Sequence, residues 1–86
     1  MKNGLIIDED GNKRWYQNDL LHRTDGPAVE YADGDTRWYQ NGKRHRTDGP
    51  AIEFGDGDKS WYYMGLYIDC NTQEEFERLL SLRAFW

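Results

Sequence analysis

The chain has 86 residues, of which 37% are hydrophobic and 31% are charged, and its formal net charge is -5 at pH 7. This length allows a single domain, 1–86, and the acidic balance disfavours direct binding to nucleic acid, because it repels a phosphate backbone. No segment reaches the ~20 apolar residues that cross a bilayer, and no signal peptide is present, so we expect a cytoplasmic protein with no membrane partner.

Sequence landmarks recur every 23 residues along most of the chain. Trp-Tyr pairs lie at 15–16, 38–39 and 61–62, and Asp-Gly pairs lie at 10–11, 33–34 and 56–57. The segment His22–Ala28 returns letter for letter as His45–Ala51. A repeat of this kind indicates one structural unit used several times, here about two and a half times over residues 5–69.

Each unit has the pattern of a β-hairpin. A short strand around Val29 is followed by the turn signal Asp33-Gly34 and by a return strand that contains Trp38. With Asp33-Gly34 at the centre of the turn, Val29 lies opposite Trp38, and Ile52 lies opposite Trp61 in the next copy. Asn41-Gly42 then predicts a type I′ turn between units, since this dipeptide tolerates positive φ at both positions.

The Trp and Tyr series alternate along the strands, so they point to opposite faces of the sheet. The Trp side chains, with Val29 and Ile52 opposite them, are predicted to form the core. The Tyr series is predicted to share its face with Ala28, Ala51, Glu30 and Arg37. With the helix residues described below, the predicted core consists of Trp15, Trp38, Trp61, Val29, Ile52, Phe76, Leu79 and Leu80.

The end of the chain has the pattern of a helix rather than of another hairpin. Thr72 and Glu75 form a capping box, and Phe76, Leu79 and Leu80 follow at spacings that share one helical face. We expect a helix at about 73–84 within a C-terminal segment 72–86, with Phe85 and Trp86 included in a cap that closes the repeat array. The predicted fold is mainly β, an antiparallel β-hairpin repeat sheet with a C-terminal capping α-helix.

The order Trp-Tyr, Asn-Gly-Lys, His, Asp-Gly-Pro-Ala, aromatic, Asp-Gly resembles the MORN-type repeats. It is more similar to their bacterial and phage variants, which follow the pattern WYxNGxxHRxDGPAxE, and residues 5–69 carry this resemblance. The resemblance implies a platform for contact with other molecules rather than one particular activity. Short chains with such units and a helix also resemble small accessory proteins of bacteriophages, which implies a host factor as the partner.

The sequence contains no pattern typical of a catalytic or metal site. His22 with Asp25 and His45 with Asp48 are copies of one arrangement, so we expect each histidine to make the same structural hydrogen bond to a neighbouring turn. The Asp-rich turns lack the full spacing of a calcium loop. The single cysteine, Cys70, excludes an intramolecular disulfide and is typical of the reducing cytosol. We therefore predict no enzyme activity, no metal and no cofactor.

Two surface features are candidates for partner binding. Tyr and Arg are enriched at the energetic centres of interfaces, which favours the Tyr face. If the hairpins align, the Asp-rich turns form an acidic rim, with Lys43, Arg44, Arg46 and Arg23 toward the opposite rim. The candidate partner-binding residues are Tyr16, Tyr39, Tyr62, Arg37, Arg44, Arg46, Asp33, Asp35, Asp56 and Asp58.

These features favour a non-enzymatic binding protein, a small phage-encoded inhibitor that occupies the surface of a host protein involved in defence. Its acidic rim would imitate the phosphates of nucleic acid. One alternative is a protein that sequesters nucleotides, with Tyr or Trp stacked on the base and Arg44 or Arg46 on a phosphate. The other is a structural homo-oligomer that pairs its open sheet edges, or an antitoxin-like protein.

Overall fold

The computed structural model describes residues 1–83, so Phe85 and Trp86 of the predicted cap lie outside the described residues. Within this range the chain forms an antiparallel β-sheet followed by a C-terminal helix, as predicted. The strands are β1 Gly4–Ile7, β2 Lys13–Gln17, β3 Leu20–Leu21, β4 Val29–Glu30, β5 Thr36–Arg37, β6 Tyr39–Gln40, β7 Lys43–Arg44, β8 Ile52–Glu53, β9 Lys59–Tyr63 and β10 Leu66–Ile68, and the helix is α1 Gln73–Arg83.

The strands follow one another across the sheet almost in chain order. The order is β1-β2-β4-β5-β8-β9-β10, with β3 paired to β2, and β6 and β7 form a separate two-stranded ladder. The Cα extents are 42 × 30 × 17 Å, so the repeats spread sideways in a thin layer. Within residues 1–83, no helix combines the length and the apolar character needed to cross a bilayer.

The Asp-Gly turns close three-residue loops with a glycine bulge. In the second unit, the N–H of Gly34 donates to the carbonyl of Tyr31 at 3.0 Å, and the N–H of Tyr31 donates to the carbonyl of Asp35 at 2.9 Å. Gly34 has φ of 102°, the left-handed conformation that this loop requires of its last residue. The same two bonds close the loops at 8–12 and 54–58. The Asp-Gly pair thus ends the loop instead of occupying its centre.

This loop makes the predicted register wrong by one residue. Val29 lies opposite Arg37 rather than Trp38, and Ile52 lies opposite Ser60 rather than Trp61. Because side chains alternate along a strand, a shift of one residue moves every side chain to the other face relative to its partner strand.

The shift changes which side chains share a face. The N–H of Trp15 donates to the carbonyl of Ala28 at 2.8 Å, and the N–H of Trp38 donates to that of Ala51 at 2.7 Å, so the tryptophans lie opposite the alanines. Glu30 also lies on this Trp face. The prediction that Ala28, Ala51 and Glu30 share a face with the tyrosines is therefore wrong. Arg37 does lie on the Tyr face, together with Val29 and Ile52, the residues predicted to accompany the tryptophans.

The turns between units are type I′ turns. Asn41 and Gly42 have φ of 51° and 80°, as predicted from the Asn-Gly signal. Met64 and Gly65 take the same conformation in the third unit, with φ of 50° and 87°. The chain after them returns as β10, so the third hairpin is completed before the helix begins at Gln73.

The helix covers the Trp face of the third unit. Phe76 is fully buried and packs with Trp61, Ile68 and Cys70, and the partly buried side chains against this cluster are those of Tyr63, Leu79 and Leu80. The indole N–H of Trp61 donates to Oε1 of Gln73 at 2.8 Å. The N-cap forms as predicted, with the N–H of Glu75 donating to Oγ1 of Thr72 at 3.2 Å.

The predicted core residues differ in burial. Val29, Ile52, Trp61 and Phe76 are buried, and Leu79 and Leu80 are partly buried. Trp15 and Trp38 are half-buried, so the expectation that they are core residues needs correction. The helix reaches the third unit, and the Trp faces of the first two are covered by other side chains.

Candidate binding face

Arginine side chains cover the two half-buried tryptophans. The guanidinium carbon of Arg23 lies 3.8 Å from the ring centroid of Trp15, and that of Arg46 lies 3.9 Å from the ring of Trp38. Nε of Arg46 also donates to Asp48 at 2.9 Å, and Nη1 donates to the carbonyl of Pro50 at 3.2 Å. Arg46, a predicted partner-binding residue, is therefore used inside its own repeat.

The glycine of the repeated Asp-Gly-Pro segment provides space for this arginine. A Cβ atom at Gly49 would lie 2.6 Å from Cζ of Arg46, and one at Gly26 would lie 2.8 Å from Cζ of Arg23. Neither glycine has a positive φ, so space rather than backbone conformation requires it. The Arg, Asp, Gly and Pro that recur in the two copies thus form one packing motif with the Trp ring.

The repeated histidines make the predicted structural bonds to neighbouring turns. Nδ1 of His22 accepts the N–H of Asn41 at 3.0 Å, and Nδ1 of His45 accepts the N–H of Met64 at 2.9 Å. Each bond joins one unit to the next. His45 is also buried beside the ring of Tyr63, and this burial lowers the pKa of His45 below its usual value of 6.5.

Acidification is expected to destabilise the fold through His45. Its pKa is lower in the folded than in the unfolded chain, so the unfolded chain binds the proton first as the pH falls below about 6.5. The stabilisation is therefore complete above that pH and decreases below it. We expect the melting temperature to fall between about pH 7 and pH 5, and to fall less in His45→Asn, whose amide oxygen accepts the same bond without titrating. Equal pH dependence in both proteins would contradict this role.

The Asp-rich turns lie in a row, as predicted for an acidic rim. Oδ1 of Asn12 accepts the N–H of Ala32 at 2.8 Å, and Oδ1 of Asp35 accepts the N–H of Gly55 at 2.6 Å, so each turn is bonded to the next. Asp35 is half-buried because it bonds to the next turn and lies beside Arg37, whose Nη2 is 4.0 Å from Oδ2 of Asp35. The exposed carboxylates of the rim that were predicted as binding residues are those of Asp33, Asp56 and Asp58.

Repeat-equivalent aspartates allow this bond between turns to be tested. We expect Asp35→Ala to lower the free energy of unfolding by about 1–2 kcal/mol, because it removes a charged acceptor from the N–H of Gly55. The matched control is Asp58→Ala, which occupies the same position in the last unit, where no further Asp-Gly turn follows, and is expected to cost less than about 0.5 kcal/mol. Equal losses in urea denaturation would refute the assignment.

The opposite face of the sheet carries three cross-strand pairs, one in each unit. Tyr16 lies opposite Leu21, Tyr39 lies opposite Arg44, and Tyr62 lies opposite Tyr67. These six residues are called the tyrosine face below. Each unit thus contributes an aromatic ring at the same place.

Arg44 joins two units at the centre of the tyrosine face. Its Nε lies 3.4 Å from the hydroxyl of Tyr39, and its Nη1 lies 3.4 Å from that of Tyr62. The guanidinium is 5.2 Å from the ring centroid of Tyr62, and Tyr67 meets that ring edge-on at 5.5 Å. The hydroxyl of Tyr39 raises the pKa of Arg44 above its usual value, so the charge persists at any physiological pH. The cluster is therefore a pre-positioned cation among aromatic rings.

An open groove of about 330 Å³ runs beside this cluster. It is lined by Tyr39, Gly42, Lys43, Arg44 and Gly65. Tyr67, on the same face, is 54% exposed. Leu20 and Leu66 are both 46% exposed, but they lie opposite Gln17 and Tyr63 and so point to the Trp side of the strands. The groove thus combines the positive charges of Lys43 and Arg44 with the aromatic ring of Tyr39.

The structure brings some of the predicted binding residues together and separates others. Tyr39, Tyr62 and Arg44 form one cluster, and Tyr16 lies one unit away. Arg37 packs with its guanidinium 5.0 Å from the ring of Tyr31, a different aromatic residue. Of the arginines predicted to bind a partner, Arg44 is therefore the one at the centre of the tyrosine face.

Sequence reasoning missed Tyr67 as a surface aromatic. The residues five positions after each repeated Tyr follow the same 23-residue step, at 21, 44 and 67, and this spacing could have found it. The sequence instead predicted about two and a half units, whereas the structure completes the third hairpin through a type I′ turn at Met64 and Gly65.

Two further features of the described residues, Cys70 and a second groove, lie on the Trp face. In this part of the chain, no three His, Cys, Asp or Glu side chains gather as metal ligands would. Burial raises the pKa of the Cys70 thiol, with the charges of Glu75 and Asp69 adding to the effect. A second groove, of about 300 Å³, lies on the Trp face, and its walls are Thr24, Asp25, Trp38, Gln40, Arg46, Thr47 and Asp48.

Comparison with known proteins finds no family model that matches this chain and no match among curated proteins or solved structures. The similarity to MORN-type repeats is therefore a resemblance of the repeat sequence, with its 23-residue step and its motifs, and family membership stays a prediction.

Proposed function

We propose that this protein is a non-enzymatic binding protein that covers a surface of a protein partner with its tyrosine face. The observation that carries the proposal is the position of the helix. It packs on the Trp face through Phe76 and Gln73, and it leaves the tyrosine face uncovered within residues 1–83. Aromatic and arginine side chains on an uncovered face are typical of interface centres.

The arrangement of Arg44 supports a protein partner. Two tyrosine hydroxyls hold its guanidinium in place, so binding costs little additional side-chain entropy. The aromatic rings around it offer flat apolar area, and the exposed side chain of Tyr67 extends that area. The sequence resemblance to phage accessory proteins supports a bacterial host factor, which the protein would inhibit by occupying its surface.

Affinity capture from bacterial lysate with matched surface variants tests this proposal. Tyr67→Ser removes a 54% exposed ring from the tyrosine face, and Leu82→Ser removes a 52% exposed side chain from the helix. We expect the first variant to lose a partner that wild type and the second variant retain. Retention of the same partner by Tyr67→Ser and by a second variant, Arg44→Gln, would overturn the proposal.

The acidic rim supports a competing form of the proposal, in which the rim imitates nucleic-acid phosphates. The bond from Gly55 to Asp35 keeps the exposed carboxylates of successive turns in a row. A variant with Lys at Asp33, Asp56 and Asp58 separates the two forms. Loss of the partner in this variant, with normal capture by Tyr67→Ser, would assign binding to the rim.

The groove beside Arg44 supports nucleotide sequestration as a further candidate. Its volume of about 330 Å³ is at the lower end of the range for small-molecule sites. A base would stack on Tyr39 while Lys43 and Arg44 meet the phosphates. Thermal shift against a panel of nucleotides tests this candidate, and an unchanged melting temperature with every nucleotide would eliminate it.

A further inference from the structure

The first strand is an unprotected edge of the sheet. All four residues of β1, Gly4–Ile7, are exposed, and Leu5, Ile6 and Ile7 leave 46%, 42% and 55% of their surface open to solvent. Edge strands usually carry a charge, a proline or a bulge that prevents pairing with another chain. β1 contains none of these, and its apolar side chains alternate onto both faces of the sheet.

The backbone of β1 also has unused hydrogen-bonding groups. The N–H of Asp8 donates to the carbonyl of Asn12. Because every second residue of an antiparallel strand bonds to its partner strand, the N–H and C=O groups of Ile6 also point toward β2. The N–H and C=O groups of Leu5 and Ile7 point away from β2. Within residues 1–83 no strand pairs with that side of β1.

The edge at the other end of the sheet is less suited to pairing. β10 has three residues, and its type I′ hairpin uses the polar groups of Leu66 and Ile68 in the ladder with β9. In β10, only the N–H and C=O groups of Tyr67 point away from β9. Pairing of β1 with β10 of another copy, which would build an open-ended chain of sheets, is therefore disfavoured relative to pairing of β1 with itself.

The charges that flank β1 favour an antiparallel arrangement. Lys2 precedes the strand, and Asp8, Glu9 and Asp10 follow it. In an antiparallel pair the lysine of each copy meets the acidic turn of the other, whereas a parallel pair would place like charges together. Asp8 is already bound by Asn12 and Arg14. In an antiparallel pair centred on Ile6, Lys2 lies opposite Asp10, which is therefore its carboxylate partner.

We propose that β1 is a homodimer interface, in which two copies pair their first strands antiparallel about a two-fold axis at Ile6. Leu5 and Ile7 of each copy exchange backbone hydrogen bonds with Ile7 and Leu5 of the other, and the two Ile6 side chains meet at the axis. The two sheets join into one continuous sheet, and the closed symmetry limits the assembly to two copies. This dimer requires no other partner, so it stands or fails separately from the proposed function.

Analytical ultracentrifugation over a concentration series tests the dimer. We expect a mass of twice 10.2 kDa that dissociates on dilution. Ile6→Lys places two like charges at the axis and is expected to give a folded monomer by circular dichroism. The control, Leu20→Lys, changes a leucine of similar exposure, 46% against 42% for Ile6, to the residue at the equivalent position of the second unit, Lys43, and should keep the dimer.

A wild-type chain that stays monomeric up to about 1 mM would overturn the proposal, because even a millimolar dissociation constant would be visible there. Open-ended growth beyond the dimer, or a dimer unaffected by Ile6→Lys, would also overturn it.

Charge exchange tests the orientation of the two strands. We expect Lys2→Glu and Asp10→Lys each to weaken the dimer by about fivefold, and their combination to restore it. Lys2 also lies 5.1 Å from the ring centroid of Tyr16, and the double variant does not restore that contact, so recovery reports on the ion pair between copies. A double variant at least as weak as either single variant would exclude the antiparallel arrangement.

Discussion

Replacing Gly49 with alanine is expected to lower the free energy of unfolding by about 1–3 kcal/mol. The new Cβ would lie 2.6 Å from Cζ of Arg46, so the guanidinium has to shift from its position over the ring of Trp38. That movement breaks the bonds to Asp48 and to the carbonyl of Pro50, and it exposes the indole. A stacked cation contributes about 0.5–2 kcal/mol, and an ion pair with a largely exposed carboxylate such as that of Asp48 contributes about 0.2–1 kcal/mol.

A double-mutant cycle separates this steric effect from the intrinsic cost of the new side chain. In an Arg46→Ala background the space beside residue 49 is empty, so Gly49→Ala is expected to cost less than about 0.5 kcal/mol there. Urea denaturation of the four proteins gives the coupling energy. An equal cost of Gly49→Ala in both backgrounds would show that Arg46 is not the reason for the glycine.

Replacing Phe76 with alanine is expected to cost about 3–5 kcal/mol. Its side chain is fully buried between the helix and the third unit, where it packs with Trp61, Ile68 and Cys70. Removing a buried ring loses its transfer free energy and leaves a cavity that the surrounding chain fills only in part. In a domain of 86 residues this is a large share of the total stability.

Leu82→Ala on the same helix is the matched control. Leu82 is 52% exposed, so its truncation is expected to change the unfolding free energy by less than about 0.5 kcal/mol. Tryptophan fluorescence of the native state should shift to longer wavelength in Phe76→Ala, because Trp61 gains contact with water. A small loss in Phe76→Ala, similar to the control, would contradict the role of α1 as the cap of the sheet.

The Gly49 and Phe76 experiments test two ways in which the protein covers a Trp ring on one face of its sheet. Each unit places one Trp ring on a face of the sheet that has no second sheet above it. In the first two units a guanidinium covers the ring, and Asp25 or Asp48 anchors that guanidinium. In the third unit the position of the arginine is taken by Asp69, and the helix covers Trp61 instead. The helix thus ends the array by replacing the arginine.

Much of the fold followed from local sequence signals. The 23-residue step located the hairpins, Asn41-Gly42 predicted a type I′ turn, and Thr72 with Glu75 located the start of the helix. These features depend on a few neighbouring residues, whose φ preferences and capping bonds act over short distances. The bonds from His22 and His45 to neighbouring turns were also predicted, because a duplicated residue has to make the same contact twice.

The register of the hairpins could not be derived in the same way. An Asp-Gly pair fits the centre of a two-residue turn and also the end of a three-residue loop with a bulge, since glycine takes a positive φ in both. The bonds from Gly34 and Tyr31 select the second form. A sequence pattern that is compatible with both loops leaves the choice to the packing of successive turns, such as the bond from Gly55 to Asp35.

The Trp and Tyr series show which features the sequence determines and which the tertiary structure decides. The sequence by itself determined that Trp and Tyr lie on opposite faces, because neighbours in a strand always do. The tertiary structure alone decided what accompanies each series and which face the helix covers. A shift of one residue between strands exchanges those companions, and the shift depends on hydrogen bonds between units that lie 20 residues apart in the chain.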